Sequence, residues 1–188
     1  NIYVFSTLFN GNEMVRELIE SGILISGVVG LAIGTKSSEI RLLIDQGLYN
    51  EFSIEFVAIK SYETRNPSDI HALSTLNVGL ALPLGWQRLT PKWAIQQLRL
   101  GGVSIHRSAY GINQAAADHL KIDIAAGKAE FHLSIFKVDE GMNSGPVLAT
   151  NTLRIIEFDD IKTTHWNVGC AAVAMLVKCL DPAIFSRS

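Results

Sequence analysis

The sequence predicts an α/β fold, an open and mostly parallel twisted sheet with helices on both faces. Short runs rich in β-branched and aromatic residues alternate with longer segments in which apolar residues recur at helical spacing. A helix between two strands returns the chain to the edge where it began, so strands that alternate with helices form parallel sheets. With 188 residues, the chain has the length of one domain, predicted to span residues 1–188.

The first half of the chain shows this alternation clearly. Its β-branched and aromatic runs predict strands at residues 2–6, 24–32, 54–59 and 76–84. The first helix, residues 12–22, has its apolar residues on one face and ends at a glycine. The second helix, residues 37–47, has Ser37 or Ser38 as its N-cap, and Pro67 begins the third.

The second half continues in the same way. The pattern predicts strands at residues 102–106, 130–138 and 146–155, and helices at residues 91–98, within 114–126 and at 161–180. Only the turn-like segment 139–145 separates the last two strands. In open α/β sheets, ligands bind beyond the carboxyl ends of the strands, where the strand order reverses. Functional residues are therefore expected in the segments that follow strands.

The composition argues against several classes of protein. The formal net charge is -2, so no electrostatic attraction to nucleic acid is expected. No apolar run reaches the roughly 18 residues that a membrane-spanning helix needs. Cys170 and Cys179 would lie about 13 Å apart on a helix, too far for a disulfide, and no group of Cys and His residues has zinc-ligand spacing. The composition predicts a soluble, cytoplasmic protein without a bound metal.

Two glycine-containing segments resemble phosphate loops. In residues 27–34 the spacing is not Gly-x-Gly-x-x-Gly and the first two glycines fall within a predicted strand, so close backbone approach explains them better. Asn10, Gly11 and Asn12 lie at a strand-to-helix junction, where backbone N–H groups can hold an anion. An Asn-Gly turn followed by a helix cap explains these three residues equally well.

One strand of the second half ends in Val-Ser-Ile-His-Arg-Ser, residues 103–108. Side chains two residues apart in a strand share a face and lie roughly 6.5–7 Å apart. Ser104 and His106 therefore point the same way near the carboxyl end of the strand. A hydroxyl and an imidazole in this arrangement can flank a reacting carbonyl group, one as hydrogen-bond donor and one as proton shuttle. Taken alone, a histidine in this position is better explained by a structural role.

Two further segments have the composition of ligand-facing loops. Residues 84–93 bring aromatic residues and a cation to the end of a strand, just before a helix that begins with proline. Residues 138–147 are acidic and glycine-rich and lie between two strands. Loops at the carboxyl ends of strands carry function more often than other segments. With the His106 strand, these segments can form one cleft.

The order of "GWQRLTP" at residues 85–91, "GGVSIHRS" at 101–108 and "SIFKVDEGMNSGPVL" at 134–148 is specific enough to suggest a family. It resembles the formyltransferase fold shared by methionyl-tRNA formyltransferase, glycinamide ribonucleotide transformylase and sugar N-formyltransferases. The likeness extends from the first strand to the last helix. It implies a Rossmann-like sheet and an enzyme that uses 10-formyltetrahydrofolate as co-substrate.

The resemblance also implies a catalytic trio. In the family, an Asn-x-His-x-Ser strand end and an Asp in a "VDxxxDxG" loop act on the tetrahedral intermediate that forms when an amine attacks the formyl group. The His position is occupied by His106, whereas Ser104 stands at the Asn position and Asn143 at the Asp position. The implied roles are acid-base catalysis for His106, oxyanion donation for Ser104 and orientation of water or amine for Asn143.

These departures have physical consequences. Asn143 keeps the shape and acceptor capacity of Asp but lacks the charge that favours an imidazolium. Ser104 is shorter than Asn, and the loss of a donor from other oxyanion holes costs roughly two to three decades in rate. His119 and His132 can replace lost polar groups, although a structural role explains both better.

A folate site and an acceptor site are implied as well. By resemblance, the folate contacts fall on two loops and comprise Trp86, Gln87, Arg88, Leu89, Asp139, Glu140, Gly141 and Met142. The acceptor would lie near Asn10, Gly11 and Asn12. The chain ends soon after its last helix, without the C-terminal barrel with which methionyl-tRNA formyltransferase grips tRNA. A small amine such as an amino sugar, an amino acid or a nucleotide precursor is therefore the expected acceptor, and tRNA is disfavoured.

Two hypotheses remain open. In the first, the protein is a formyltransferase-like enzyme that transfers the formyl group to a small amine or hydrolyses it. In the second, it is a folate- or nucleotide-binding protein on the same fold that has lost its chemistry through Ser104 and Asn143. The sequence indicates neither the acceptor nor the oligomeric state.

Overall fold

The computed structural model describes residues 1–6, 9–32, 46–61, 63–86, 91–108, 130–141, 144–154 and 161–180. The strands within these residues are β1 Ile2–Phe5, β2 Ile25–Leu31, β3 Glu55–Ile59, β4 Leu80–Pro83, β5 Gly102–Ser108, β6 Glu130–Val138 and β7 Val147–Arg154. The helices are α1 Phe9–Glu20, α2 Gln46–Glu51, α3 Pro67–Ser74, α4 Lys92–Ile95 and α5 Ile161–Cys179. No helix within the described ranges is long and apolar enough to cross a membrane.

The seven described strands form one sheet in the order β3-β2-β1-β4-β5-β6-β7. The pairs β1–β2, β1–β4, β2–β3 and β4–β5 are parallel, whereas β6 and β7 form an antiparallel hairpin. The predicted open, mostly parallel α/β sheet is confirmed. The hairpin is antiparallel because a short turn, not a helix, joins its strands.

The described part of the chain forms two compact units, Asn1–Val103 and Ser104–Ser188. The core of the first unit consists of Tyr3, Phe5, Val29, Leu31, Ile59, Leu73, Val78 and Ala81. In the second unit, buried residues of β6 and α5 include Leu133, Ile135, Val168, Val173 and Leu176. The prediction of a single domain over residues 1–188 stays a prediction.

Several predicted boundaries are corrected by the structure. Strand β4 begins at Leu80 and not at residue 76, because the N–H groups of Gly79 and Leu80 both bond to the carbonyl oxygen of Asn1. Of the helix predicted for residues 37–47, residues 46 and 47 lie in α2, which ends at Glu51. Residues 37–45 lie outside the described residues, as does the predicted helix within 114–126. Helix α3 begins at Pro67 as predicted, capped by the Asn66 side chain.

The glycines of β2 permit close packing, as predicted. A Cβ at Gly27 would overlap the ring of Tyr3, and one at Gly30 would lie 2.9 Å from the ring of Phe56. The Tyr3 ring passes over Gly27, and its hydroxyl donates to Glu55 Oε2 at 3.0 Å. Burial raises the pKa of Tyr3 above its usual value, and the hydrogen bond to Glu55 and the charge of Glu55 act in the same direction. Residues 27–30 are therefore part of the packed sheet.

Candidate active site

Strand β5 carries the two described members of the predicted catalytic trio. Ser104 and His106 both lie within Gly102–Ser108, so their spacing of two places them on one face of the strand, as the sequence predicts. His106 is buried, with 8% of its surface exposed, and Ser104 is half-buried. An imidazole with so little exposed surface can meet a ligand only over a small area. Asn143, the third member, lies outside the described residues.

The segment between β6 and β7 is held by internal contacts. Asp139 Oδ1 accepts a hydrogen bond from the Gly141 N–H at 3.0 Å and one from the Ser144 hydroxyl at 2.6 Å. Lys137 N–H donates to the Pro146 carbonyl oxygen at 2.9 Å. This hydrogen bond closes the base of the loop, and the Asp139 carboxylate joins residues within it.

The sequence places Ser144 in this loop but does not identify it as a hydrogen-bond partner of Asp139. The available signal is local: Asp side chains bond to the backbone N–H two residues later in Asx-turns, and Asp139 and Gly141 have that spacing. The Ser144 hydroxyl joins the same oxygen from five positions along the chain. The predicted folate contacts Asp139, Glu140 and Gly141 thus lie in an ordered loop, whereas Met142 is outside the described residues.

Trp86 has a packing partner in the first unit. Its ring meets that of Phe5 edge to face, with ring centroids 5.7 Å apart and an interplanar angle of 87°. It is half-buried and packs against the core of the first unit. Such aromatic pairs stabilise a fold beyond the area they bury. Packing within the first unit therefore accounts for the placement of part of the Trp86 ring. The predicted contact of Trp86 with folate stays a prediction. Gln87, Arg88 and Leu89 lie outside the described residues.

The predicted acceptor residues Asn10, Gly11 and Asn12 lie inside the first turn of α1. The helix begins at Phe9, ahead of the predicted start at residue 12, so these residues are not a loop that precedes the helix. Gly11 is buried, and a Cβ there would overlap the Ser6 hydroxyl and lie 2.7 Å from the Leu84 carbonyl oxygen. This contact gives Gly11 a packing role. Acceptor binding by these residues stays a prediction.

Replacing Gly11 by alanine is expected to destabilise the protein by about 1–3 kcal/mol, the usual cost of overpacking. Gly169 provides the matched control, because it is also helical and a Cβ there meets nothing within 4 Å. Gly169→Ala should therefore stabilise the protein by about 0.5–1 kcal/mol through helix propensity alone. Urea denaturation of both variants measures the difference. Equal free energies of unfolding for the two variants would contradict the packing role of Gly11.

Strand β5 offers a half-buried hydroxyl, that of Ser104, and a buried imidazole, that of His106. No group of three or more His, Cys, Asp or Glu side chains in the described ranges is arranged to hold a metal ion. Ser104 offers a donor to an oxygen that gains negative charge, and His106 can take up and return a proton. Both operations suit transfer of an acyl group.

The sequence profile of the formyl transferase family matches residues 8–180. The chain belongs to this family. The methionyl-tRNA formyltransferase of Phenylobacterium zucineum is 28% identical over 124 residues, which are 66% of this chain and 40% of that protein. The methionyl-tRNA formyltransferase of Coxiella burnetii RSA 493 is 26% identical over 126 residues, which are 67% of this chain and 40% of that protein. The matched part of the chain thus spans well under half of these curated relatives.

Solved formyltransferases share the fold. The phosphoribosylglycinamide formyltransferase of Streptococcus pneumoniae TIGR4 superimposes with a TM-score of 0.76 at 17% identity, over 97% of this chain and 98% of that one. A sugar 3N-formyl transferase, solved in the presence of dTDP and 5-N-formyl-THF, gives a TM-score of 0.63 at 14% identity, over 100% of this chain and 64% of that one. The resemblance found in the sequence is confirmed at the level of family and fold.

Proposed function

We propose that this formyl transferase family member binds 10-formyltetrahydrofolate and transfers its formyl group to a small-molecule amine or to water. The observation that carries the proposal is the buried His106 on β5, two residues after Ser104 on the same strand face. This is the position that the family motif reserves for its histidine. Within the part of the chain that the structure describes, no observation favours the alternative of lost chemistry.

The reaction follows from the chemistry of these two side chains. The nitrogen of the acceptor attacks the formyl carbon, and the carbonyl oxygen becomes an oxyanion to which the Ser104 hydroxyl donates. His106 takes a proton from the attacking nitrogen and returns it to N10 of the folate as the carbon–nitrogen bond breaks. The products are tetrahydrofolate and the formylated amine. When water attacks in place of the amine, the products are tetrahydrofolate and formate.

Asn143 has the role of orienting the nucleophile in this proposal. Its amide oxygen can accept a hydrogen bond from the attacking amine or water, because the oxygen is the acceptor of the amide and the NH₂ group is its donor. A neutral amide does not stabilise an imidazolium as a carboxylate does. We therefore assign both proton transfers to His106 and only orientation to Asn143.

We propose the loop that carries Asp139, Glu140, Gly141 and Met142 as a folate-binding segment, and residues 86–89 of the first unit as a separate candidate for folate contact. Recognition by backbone groups tolerates side-chain changes, so the departures from the family pattern do not exclude it. The sugar 3N-formyl transferase that shares this fold was solved in the presence of 5-N-formyl-THF, which supports a formylated folate as the donor for this chain.

The acceptor is proposed to be a small amine that binds near Asn10–Asn12. The names of the relatives support three kinds of acceptor: methionyl-tRNA, phosphoribosylglycinamide and sugars. A formal net charge of -2 offers little attraction for a polyanion at physiological salt, which favours a small molecule. The expectation against tRNA stays a prediction, because the matched relatives in the sequence comparison are methionyl-tRNA formyltransferases.

Calorimetric titration with 5-formyltetrahydrofolate tests the donor. This analogue carries its formyl group on N5 and does not transfer it, so binding is measured without turnover. We expect saturable binding with one folate per chain. Candidate amines added to the protein should then change the measured affinity for the folate. Titration with dTDP under the same conditions serves as the comparison, since tight dTDP binding without folate binding would indicate a nucleotide-binding protein. Absence of any folate binding would contradict both the enzyme and the folate-binding hypotheses.

A further inference from the structure

We propose that Asp139 is a positioning residue that holds the folate loop in its binding shape, and not a direct ligand of the folate. The inference rests on the proposed function, because it explains how the loop after β6 meets the co-substrate. It concerns the three described residues Asp139, Gly141 and Ser144, called the Asp139 clasp below. No catalytic role is assigned to any of them.

The Asp139 carboxylate is used within the loop. A single oxygen, Oδ1 of Asp139, accepts from both the Gly141 N–H and the Ser144 hydroxyl. Hydrogen bonds to an ionised acceptor are shorter and stronger than those between neutral groups, and the Ser144 bond of 2.6 Å has that length. The side chain is therefore engaged within the loop before any ligand arrives.

The base of the loop is closed by separate contacts. Lys137 N–H donates to the Pro146 carbonyl oxygen at 2.9 Å, and Gly145 is buried so closely that a Cβ would overlap the Lys137 carbonyl oxygen. The hairpin thus fixes both ends of the loop. Asp139 adds a second set of contacts further along it, between the base and the tip.

The two hydrogen bonds of Asp139 reach residues on either side of two predicted site residues in the sequence. Gly141 and Ser144 directly flank residues 142 and 143, which carry the predicted folate contact and the predicted orienting amide. Gly141, Ser144 and Glu140 are exposed, so little burial holds this part of the loop in place. Exposed loops with few apolar contacts open at low free-energy cost. A carboxylate that joins both flanks reduces the ordering cost that a ligand would otherwise meet.

Four variants test the clasp. Asp139→Ala removes both bonds, Ser144→Ala removes one, and the double variant removes the same two bonds as Asp139→Ala. Asp139→Asn keeps an amide oxygen that can accept from both donors. We expect Asp139→Ala to weaken 5-formyltetrahydrofolate binding about tenfold or more and Ser144→Ala by a smaller factor, because each bond contributes roughly a factor of two to ten. The double variant should be no weaker than Asp139→Ala, and Asp139→Asn should recover most of the affinity.

Turnover of 10-formyltetrahydrofolate separates positioning from chemistry. The clasp predicts that Asp139→Ala raises KM for the folate and changes kcat much less. Thr150→Ala, exposed on β7, is the control and should leave both constants unchanged. If Asp139 instead contacts the folate directly through its charge, Asp139→Asn will bind as weakly as Asp139→Ala and the effects of Asp139→Ala and Ser144→Ala will add. Either result overturns the proposal.

Amide hydrogen exchange tests the clasp without any ligand. The Gly141 amide is hydrogen-bonded to Asp139, so its exchange should be slow in the parent protein and faster in Asp139→Ala, at unchanged melting temperature. Unchanged Gly141 exchange in Asp139→Ala would show that the clasp does not exist in solution. A parent protein that shows this exchange pattern and yet binds no folate would instead contradict the proposed function.

Discussion

Replacing His106 by alanine is expected to lower the rate of formyl transfer or formyl hydrolysis by about 10²- to 10⁴-fold, the contribution of a positioned acid-base group. The physical reason is that the attacking nitrogen must lose a proton and N10 must gain one. Without the imidazole, solvent has to carry both. The measurement is the release of tetrahydrofolate from 10-formyltetrahydrofolate under saturating conditions. The affinity for 5-formyltetrahydrofolate should change much less, because the folate contacts are proposed to lie on other residues.

His132 provides a matched control for this experiment. It is also a strand histidine in the second unit, but it is exposed on β6 and its Nδ1 lies 3.0 Å from the hydroxyl oxygen of Thr152 on β7. His132→Ala should leave the rate unchanged. Because His106 is buried, melting temperatures are compared to separate loss of chemistry from loss of folding. A folded His106→Ala protein that turns over at the parent rate would contradict the catalytic assignment.

The elements that the sequence predicts well are those determined by neighbouring residues. Strand β6 is predicted at residues 130–138 and observed at Glu130–Val138, because apolar side chains recur at about every second position along it and a turn-like segment follows it. The pairing of Ser104 with His106 on one strand face follows from the period of an extended chain alone. The family resemblance adds the identity of the fold, which periodicity does not determine.

The features that sequence reasoning misses depend on distant contacts. Strand β4 begins later than predicted because the N–H groups of Gly79 and Leu80 donate to the carbonyl oxygen of Asn1, which is distant from them in the sequence. The role of Gly11 depends on how closely α1 approaches Ser6 and Leu84. Neither contact leaves a local signature. A glycine at a strand-to-helix junction looks the same in the sequence whether an anion or a neighbouring backbone needs the space.

Asp139 illustrates the same limit within the candidate site. The family motif places an Asp there and associates it with the folate loop, so resemblance alone suggests a ligand contact. The observed partners of its carboxylate are Gly141 and Ser144. Sequence reasoning thus identifies the loop but does not decide whether this side chain faces the ligand or the loop itself. Only the hydrogen-bond geometry supports the second interpretation.

Restoring the family residues should have the second large effect. Ser104→Asn is expected to raise the rate of formyl transfer by about 10²- to 10³-fold, the size of one oxyanion-hole donor. The Asn side chain is about one bond longer than Ser and presents an NH₂ group to the developing negative charge. Asn143→Asp should add to this gain, because this position is proposed to correspond to the family's Asp, and a carboxylate there would favour the imidazolium that donates the proton. Single-turnover rates with 10-formyltetrahydrofolate measure both steps.

The parent rate decides what this restoration means. If the parent protein turns over and Ser104→Ala slows it while Ser104→Asn accelerates it, Ser104 is a working but short donor and the enzyme hypothesis stands. If only the double variant is active, the parent is a folate-binding protein whose chemistry has been lost.

Ser104 is half-buried on β5, so a larger side chain can also disturb the strand. Unchanged folate affinity of Ser104→Asn is the check. A folded Ser104→Asn variant that binds folate but is slower than the parent would show that the site is built around the hydroxyl, and the assignment of Ser104 to the family's amide position would then be wrong.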